Sequence, residues 1–544
     1  MPITFAQEIA AKAHSRIVWN RHQNARLFSH AASRPGFAGP AVARDSPAAG
    51  LTVQAGAGVW KGGTMGLIGI LLALGVLIAL AYRGWSVLLL APIAALIAAA
   101  LSGQPMLAHW TQTFMPAAAD FVGQFLPLFL LGAVFGKVME DSGSVRAIAD
   151  ELTRRLGAQR AILAVVLAGA ALTYGGVSLF VALFVLAPMA EALFRRADIP
   201  RRLMPPAIAL GTFTFTMMAM PGTPAIQNAI PMPFFGTTTF AAPGLGLIAS
   251  AIMLGFGMWW LRRAEARARA QGEGFTEIRA PEIDQAVLRE RAVTAREFDP
   301  AEATRGHQSP DLPSGLVAAL PLLVVIAVNL TMSLLVLPAL DVSWLAQPIW
   351  GETSFGAVSG VWSVAVALTA AIVVAIGLNY RRLPRLRATL DAGANASVLP
   401  IFAVASLVGF GAVVAALPAF ALVREWVLSI EGGPLVSLAV ATNILAALTG
   451  SASGGLTIAL DALGETYLQL AQETGIDPQL LHRVAVMSAG TLDSLPHSGA
   501  VVTLLSVCGV TPRAGYFNIA MVAIVGALLA LVAVIVLGTF VGSF

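Results

Sequence analysis

Almost unbroken apolar runs recur along this chain, at 66–82, 315–337, 357–379 and 516–540 among others. A helix needs about 20 apolar residues to cross a hydrocarbon core, so each run predicts a membrane helix. The polar stretches between them alternate in Lys and Arg content, and cytoplasmic loops carry the basic excess. Residues 102–119 lack Lys and Arg and are placed outside. Residues 137–160 carry Lys137, Arg146, Arg154, Arg155 and Arg160 and are placed inside. The next apolar block, 161–193, is followed by Arg195, Arg196, Arg201 and Arg202, so both of its ends face the cytoplasm. It must enter the membrane and return, with Thr173-Tyr-Gly-Gly-Val-Ser178 at its tip.

A segment from Leu203 then leads outward and is interrupted at Pro221-Gly-Thr-Pro224. Residues 245–261 return to Arg262 and Arg263, and 263–314 form a polar, charge-rich cytoplasmic linker with a short amphipathic helix. The second half starts inside and runs the other way. Its block 434–460 is flanked mainly by acidic residues and reads as a hairpin entered from outside; 485–510 is a second broken helix. The predicted fold is an all-α polytopic membrane protein of about 12 hydrophobic segments. They form two inverted repeats, 65–262 and 315–544, each with a re-entrant hairpin and a broken helix. Gly175 and Pro221 are 46 residues apart, and so are Gly450 and Pro496.

Composition agrees: 57% of the 544 residues are hydrophobic and 11% charged, against roughly 25% charged in soluble domains. The net charge of +4 records basic loops rather than a nucleic-acid partner. The single cysteine, Cys508, excludes an internal disulfide and a cysteine metal cluster. The seven histidines have no metal-ligand spacing, and Val138 follows Lys137 where a phosphate loop needs Ser or Thr. No metal, cofactor or catalytic residue is assigned. Residues 1–64 are basic and lack an apolar run, the composition of a transit peptide. A basic segment sits badly on the outer side, so 1–64 is expected to be a disordered or mis-assigned extension, with Met65 the favoured start.

Unpaired backbone groups cannot face lipid, so chain breaks at membrane depth must face protein or water. Broken segments at matching places in inverted repeats point to a transporter's binding site. Helix starts there carry free N–H groups and partial positive charge, suited to a carboxylate. The candidate substrate-binding residues are Tyr174, Gly175, Gly176 and Ser178, then Gly222, Thr223 and Asn228, then Gly450, Ser451 and Ser453, with Thr491 and Ser498. Each has a plainer reading. The glycines could serve helix packing, the serines could bond their own helix, the prolines could only kink, and Asn228 or Gln227 could be structural amides. Asp493 and His497 are the candidates for ion coupling, because an aspartate in an apolar stretch is costly to insert. Asn329, alone on an apolar span, predicts an interhelical hydrogen bond.

At these residues, over roughly 65–544, the chain resembles the gluconate permease family, gluconate:proton symporters of the ion-transporter superfamily. The likeness lies in Ala81-Tyr-Arg-Gly-Trp-Ser86, Gly175-Gly-Val-Ser-Leu-Phe-Val181, Gly450-Ser-Ala452 and, most specifically, Asp493-Ser-Leu-Pro-His-Ser-Gly499. It implies proton-coupled uptake of sugar acids or related hydroxy acids. Where gluconate transporters of the family have a histidine-containing, proline-rich stretch, this chain has Met218-Ala-Met-Pro-Gly-Thr-Pro224. That departure sets a smaller or less hydroxylated acid, hydroxybutyrate- or citrate-like, level with gluconate.

The expected function is secondary import of a small carboxylate across a bacterial inner membrane. The proton is the expected coupling ion ahead of sodium, and a homo-oligomer is compatible with the reading. The alternative is a cation/proton antiporter without an organic substrate. A membrane hydrolase lacks a nucleophile–base pair, and a channel has no need of paired hairpins.

Overall fold

The computed structural model describes residues 58–82, 85–275, 309–496 and 498–544. Expectations for 1–57, for 276–308 of the linker and for His497 lie outside the described residues. Among the described residues every long element is a helix, and no strand occurs. The first part comprises α1 (Gly58–Tyr82), α2 (Val87–Leu101), α3 (Met106–Asp141) and α4 (Ser144–Leu156). It continues with α5 (Ala161–Tyr174), α6 (Leu179–Arg196), α7 (Met204–Thr212) and α8 (Pro243–Ala270). The second part holds α9 (Gly315–Thr331), α10 (Phe355–Asn379), α11 (Leu386–Ala396), α12 (Val398–Ala416) and α13 (Phe420–Leu428). Then come α14 (Gly433–Thr449), α15 (Ala452–Thr474), α16 (Pro478–Leu492), α17 (Gly499–Val507) and α18 (Pro512–Val541).

Among the described residues six helices are long and apolar enough to cross a membrane, and a bent pair at 144–174 makes up to one more. Leu316, Leu323, Val373, Val532 and Phe540 lie exposed on these helices, as lipid contact requires. The chain is a multi-pass membrane protein.

Neighbouring helices pair: α1 with α2, α9 with α10, α5 with α7, α14 with α16, and α8 with α18. Helices α3 and α12 pack on each other. The turns between paired helices are set by local chemistry. Gly176 (φ +92°) and Gly450 (φ +64°) occupy the left-handed region that side-chain-bearing residues avoid. Gly450 ends α14, and Ser451 then starts α15 by accepting the Gly454 N–H at 3.3 Å.

Four elements extend beyond the boundaries read from polarity. Helix α3 begins at Met106, inside the stretch expected to be an external loop. Its polar residues are absorbed within the helix: Thr111 Oγ1 donates to the Leu107 carbonyl at 2.7 Å, around a π turn at His109–Phe114. Helix α15 runs to Thr474 and carries Asp461 and Glu465. Helix α8 runs to Ala270, past the expected linker boundary at 262, because the Arg-, Ala- and Glu-rich sequence favours helix. Helix α1 begins at Gly58, ahead of Met65. In addition, the basic stretch 137–160 contains α4, which buries Val145, Ile148 and Ala149 while Arg154 and Arg155 stay exposed. It meets the helical segment that follows it at 103°. Loop charge reports a side of the membrane, not the absence of a helix.

Two ion pairs tie these elements together. Lys137 Nζ lies 3.2 Å from Asp141 Oδ1, both buried, and Thr389 Oγ1 of α11 donates to Asp141 Oδ2 at 2.7 Å. Outside the apolar segments, Arg202 donates two hydrogen bonds to Glu273, at 2.7 and 2.6 Å, joining the chain after α8 to the approach to α7. Those bonds hold the Glu273 carboxyl below its ordinary value of 4.5. A carboxyl depressed by folding stabilises the fold above that ordinary value and stops doing so as pH falls through the lowered one. The pair is partly exposed, so its worth is about 0–1 kcal/mol. Glu273→Gln should therefore melt slightly below wild type at pH 7 in detergent, and the gap should close towards pH 3; a gap that widens in acid would contradict the assignment.

Candidate functional site

The interruptions in the helices gather around one cavity of about 290 Å³. The α5–α6 turn supplies Gly176 and Ser178, and the chain after the first break supplies Pro224 and Gln227. The α14–α15 turn supplies Gly450, Ser451 and Ser453, and Gly499 comes from the start of α17. Helices α3 and α12 close the other side with Leu128, Phe129, Val404 and Leu407.

Among the described residues, no charged side chain lines this cavity. Its electrostatics come from helix starts instead. Ser178 immediately precedes α6, Ser451 precedes α15 and Ser498 precedes α17. The first N–H groups of a helix have no partner within it, and each start carries roughly half a positive charge. Three such starts around a cavity of this size can hold a small anion without a cationic side chain.

The structure distributes the sequence-predicted residues between this cavity and the scaffold behind it. Gly176, Ser178, Gly450, Ser451 and Ser453 line the cavity. Ser498 is buried beside the lining Gly499. Tyr174, Gly175, Gly222, Thr223, Asn228, Thr491 and Asp493 do not line it. Tyr174 Oη donates to the Pro221 carbonyl at 2.8 Å and so joins the first hairpin to the first break. Gly175 is packed against Leu322 of α9, and Gly222 lies under Phe240. Thr223 is buried. Thr491 donates to the Met487 carbonyl of its own helix at 2.7 Å. Asp493, in the second break, accepts from Ser494 Oγ at 3.0 Å. Asn329 of α9 donates to the Gly222 carbonyl at 3.1 Å and to Thr239 Oγ1 at 2.9 Å, so it ties α9 to the first break and to the turn before α8 rather than to a second helix.

Asn228 belongs to a buried polar cluster that sequence reasoning missed. Its amide donates to the carbonyls of Thr223 and Thr239, and its oxygen lies 3.1 Å from His482 Nε2. Arg483 is fully buried and donates to the carbonyls of Ala241 (2.6 Å) and Met218 (3.3 Å) and to Asn228 Oδ1 (3.4 Å). His482 Nδ1 lies 2.6 Å from Thr237 Oγ1. A buried guanidinium must be hydrogen-bonded to persist, and here the Met218 carbonyl ahead of the first break, the Ala241 carbonyl in the turn before α8 and Asn228 satisfy it. The signal was a lone Arg beside the apolar run 484–490, which the acidic flank at 473 and 477 obscured.

An all-helical membrane protein whose helix breaks converge on a small uncharged cavity belongs to the class of membrane transporters. Comparison with known proteins agrees. Residues 65–240 match the model of the GntP family permeases, and residues 225–540, more than half the chain, match that of the Na+/H+ antiporter family. The uncharacterized transporter YxjC of Bacillus subtilis is 42% identical over 462 residues, which are 84% of this chain and 95% of that one. The high-affinity gluconate transporter of Escherichia coli is 32% identical over 140 residues, 25% of this chain and 31% of that one. The solved Alcanivorax borkumensis YdaH transporter aligns at 17% identity and a TM-score of 0.48, over 78% of this chain and 87% of that one. The chain belongs to the GntP permease family, and its larger part also carries the pattern of the Na+/H+ antiporter family.

The brace predicts a stability effect separable from the site. Arg483→Met strands the Ala241 and Met218 carbonyls, and each buried unsatisfied group costs about 1–3 kcal/mol, so its melting temperature in detergent should fall well below wild type. Ser178→Ala removes a hydroxyl with no protein partner among the described residues and should melt like wild type. Equal melting of all three proteins would remove Arg483 from its bracing role.

Proposed function

We propose that this chain is a secondary active transporter that imports a small organic acid, a gluconate-like sugar acid or another hydroxy-carboxylate, by proton symport. The observation that carries the reading is the meeting of three helix starts, from α6, α15 and α17, around a cavity that no charged side chain lines among the described residues. A carboxylate is the small ligand that backbone N–H donors and helix dipoles suit best. The gluconate named for the Escherichia coli relative points to the same class of ligand.

The order of elements supports an architecture of two inverted repeats. In each half a packed pair (α1 with α2, α9 with α10) precedes a long span, a hairpin, a broken helix and a closing span. About 12 hydrophobic segments result when the hairpin arms and broken segments are counted with the spans. The loop charges then orient the protein in a bacterial inner membrane with its 263–314 linker in the cytoplasm.

Gly176, Ser178, Gly450, Ser451 and Ser453 hold the substrate in this reading, with Ser498 shaping the start of α17. Tyr174, Gly175, Gly222, Thr223, Asn228 and Thr491 hold the breaks in place around them. Asp493 handles the coupling ion together with His497. Asp493 follows the last turn of α16, where helix carbonyls add negative potential, so its carboxylate is placed to attract a proton or cation. The match of 225–540 to the antiporter family favours one second reading, cation/proton exchange without an organic substrate.

Purified protein in proteoliposomes separates the two. An imposed inward proton gradient should drive accumulation of a labelled hydroxy acid, and Asp493→Asn should abolish that accumulation while leaving slow equilibration. Sodium–proton exchange without any acid, and no acid uptake, would establish the second reading instead.

A further inference from the structure

We infer that the cavity selects a short monocarboxylate with at most one further hydroxyl over a polyhydroxylated sugar acid. This inference rests on the carboxylate-transport reading above and narrows it. The argument is a count of hydrogen-bonding capacity. A carboxylate only accepts hydrogen bonds, and the helix starts supply donors for it. Each hydroxyl further along the substrate both donates and accepts, so it needs partners from the rest of the wall.

That wall has few to give. Thr173, Ser397 and Thr449 line the cavity, but their hydroxyls already donate to the carbonyls of Gly169 (2.9 Å), Ala394 (2.7 Å) and Leu445 (2.8 Å). The hydroxyls of Ser451 and Ser453 are paired with each other at 3.3 Å, and Ser451 also caps α15. Thr173, Ser397, Thr449 and Ser453 are each less than 9% exposed, so their remaining lone pairs are largely covered. Only Ser178 and Gln227 are polar, lining, and without a hydrogen bond among the described residues. They could serve a carboxylate oxygen and a single hydroxyl.

The rest of the surface is apolar. Away from the turns the lining includes Ile78, Val87, Leu128, Phe129, Val404 and Leu407. A chain of two or three carbons laid on that wall buries apolar surface favourably. A gluconate chain laid there would bury hydroxyls without partners, and buried unpaired polar groups are costly.

The test is competition on the purified protein in proteoliposomes, with labelled 3-hydroxybutyrate as the probe and unlabelled butyrate, 3-hydroxybutyrate and gluconate as competitors. Butyrate and 3-hydroxybutyrate should compete at concentrations at least about tenfold below gluconate, the order of discrimination an apolar pocket gives against added hydroxyls. Phe129→Gln, and the nearly isosteric Val404→Thr as a fold-sparing second variant, should narrow that ratio by adding polar partners to the wall. If gluconate is taken up, and competes as well as or better than the short acids, this inference is overturned while carboxylate transport stands. If no acid in the panel is taken up or competes, both readings fall together.

Discussion

A backbone N–H or C=O at membrane depth has no water to bond, so every interruption of a helix there must find its partners within the protein. The described structure contains four such interruptions, and each is closed differently. The α14–α15 turn is closed locally, by a left-handed glycine and a serine cap. The α5–α6 turn is tied outward, through Tyr174 to the Pro221 carbonyl. The first break is closed by side chains from afar: Arg483 of α16, Asn329 of α9 and its own Asn228. In the second, Tyr516 Oη reaches the Ser494 carbonyl at 3.3 Å. Of the two turns and two breaks, Gly176, Ser178, Pro224, Gly450, Ser451 and Gly499 come to line one cavity.

The same accounting explains which parts were legible from sequence. Apolar length and loop charge marked the membrane character, and glycine and proline inside apolar runs marked the places where helices stop. Gly176 and Gly450 are legible because the left-handed backbone they adopt excludes most other residues. Which neighbour turns towards the cavity is not legible, because one residue along a helix rotates the side chain by about 100°. Gln227 lines the cavity while adjacent Asn228 is buried in the brace. Helix ends were misplaced for a related reason. Thr111, Glu265 and Asp461 look like loop residues by polarity, yet each continues a helix by hydrogen bonding within it, pairing at i and i+4, or pointing away from the apolar packing. Arg483 stood out only as a lone Arg beside an apolar run, and its role was not legible because its partners, the Ala241 and Met218 carbonyls, are backbone atoms far away in sequence.

Helix α16 connects these regions. Its middle carries His482 and Arg483, which hold the chain around the first break, and its end leads into Asp493 and the second break. It also packs on α14, whose end forms one of the cavity turns. A displacement of α16 would therefore be felt at the first break, the second break and the α14–α15 turn together. In the proposed transport cycle, a brace of this kind would let the groups around the cavity move as a unit rather than separate.

On the proposed reading of a carboxylate carrier, the division between a full charge in the brace and partial charges at the cavity suits the needs of the empty protein. An arginine lining the cavity would bind an anion strongly. Once the substrate left, it would be a buried ion without a partner, which is costly. Helix starts avoid this difficulty, because their positive ends are compensated within the same helices whether or not an anion is present. The guanidinium of Arg483 is instead committed to carbonyls that never leave, and it stays off the cavity surface. On that reading, a site made from fractional charges would collect an anion and release it without creating an uncompensated ion, the two steps an anion carrier needs in every cycle.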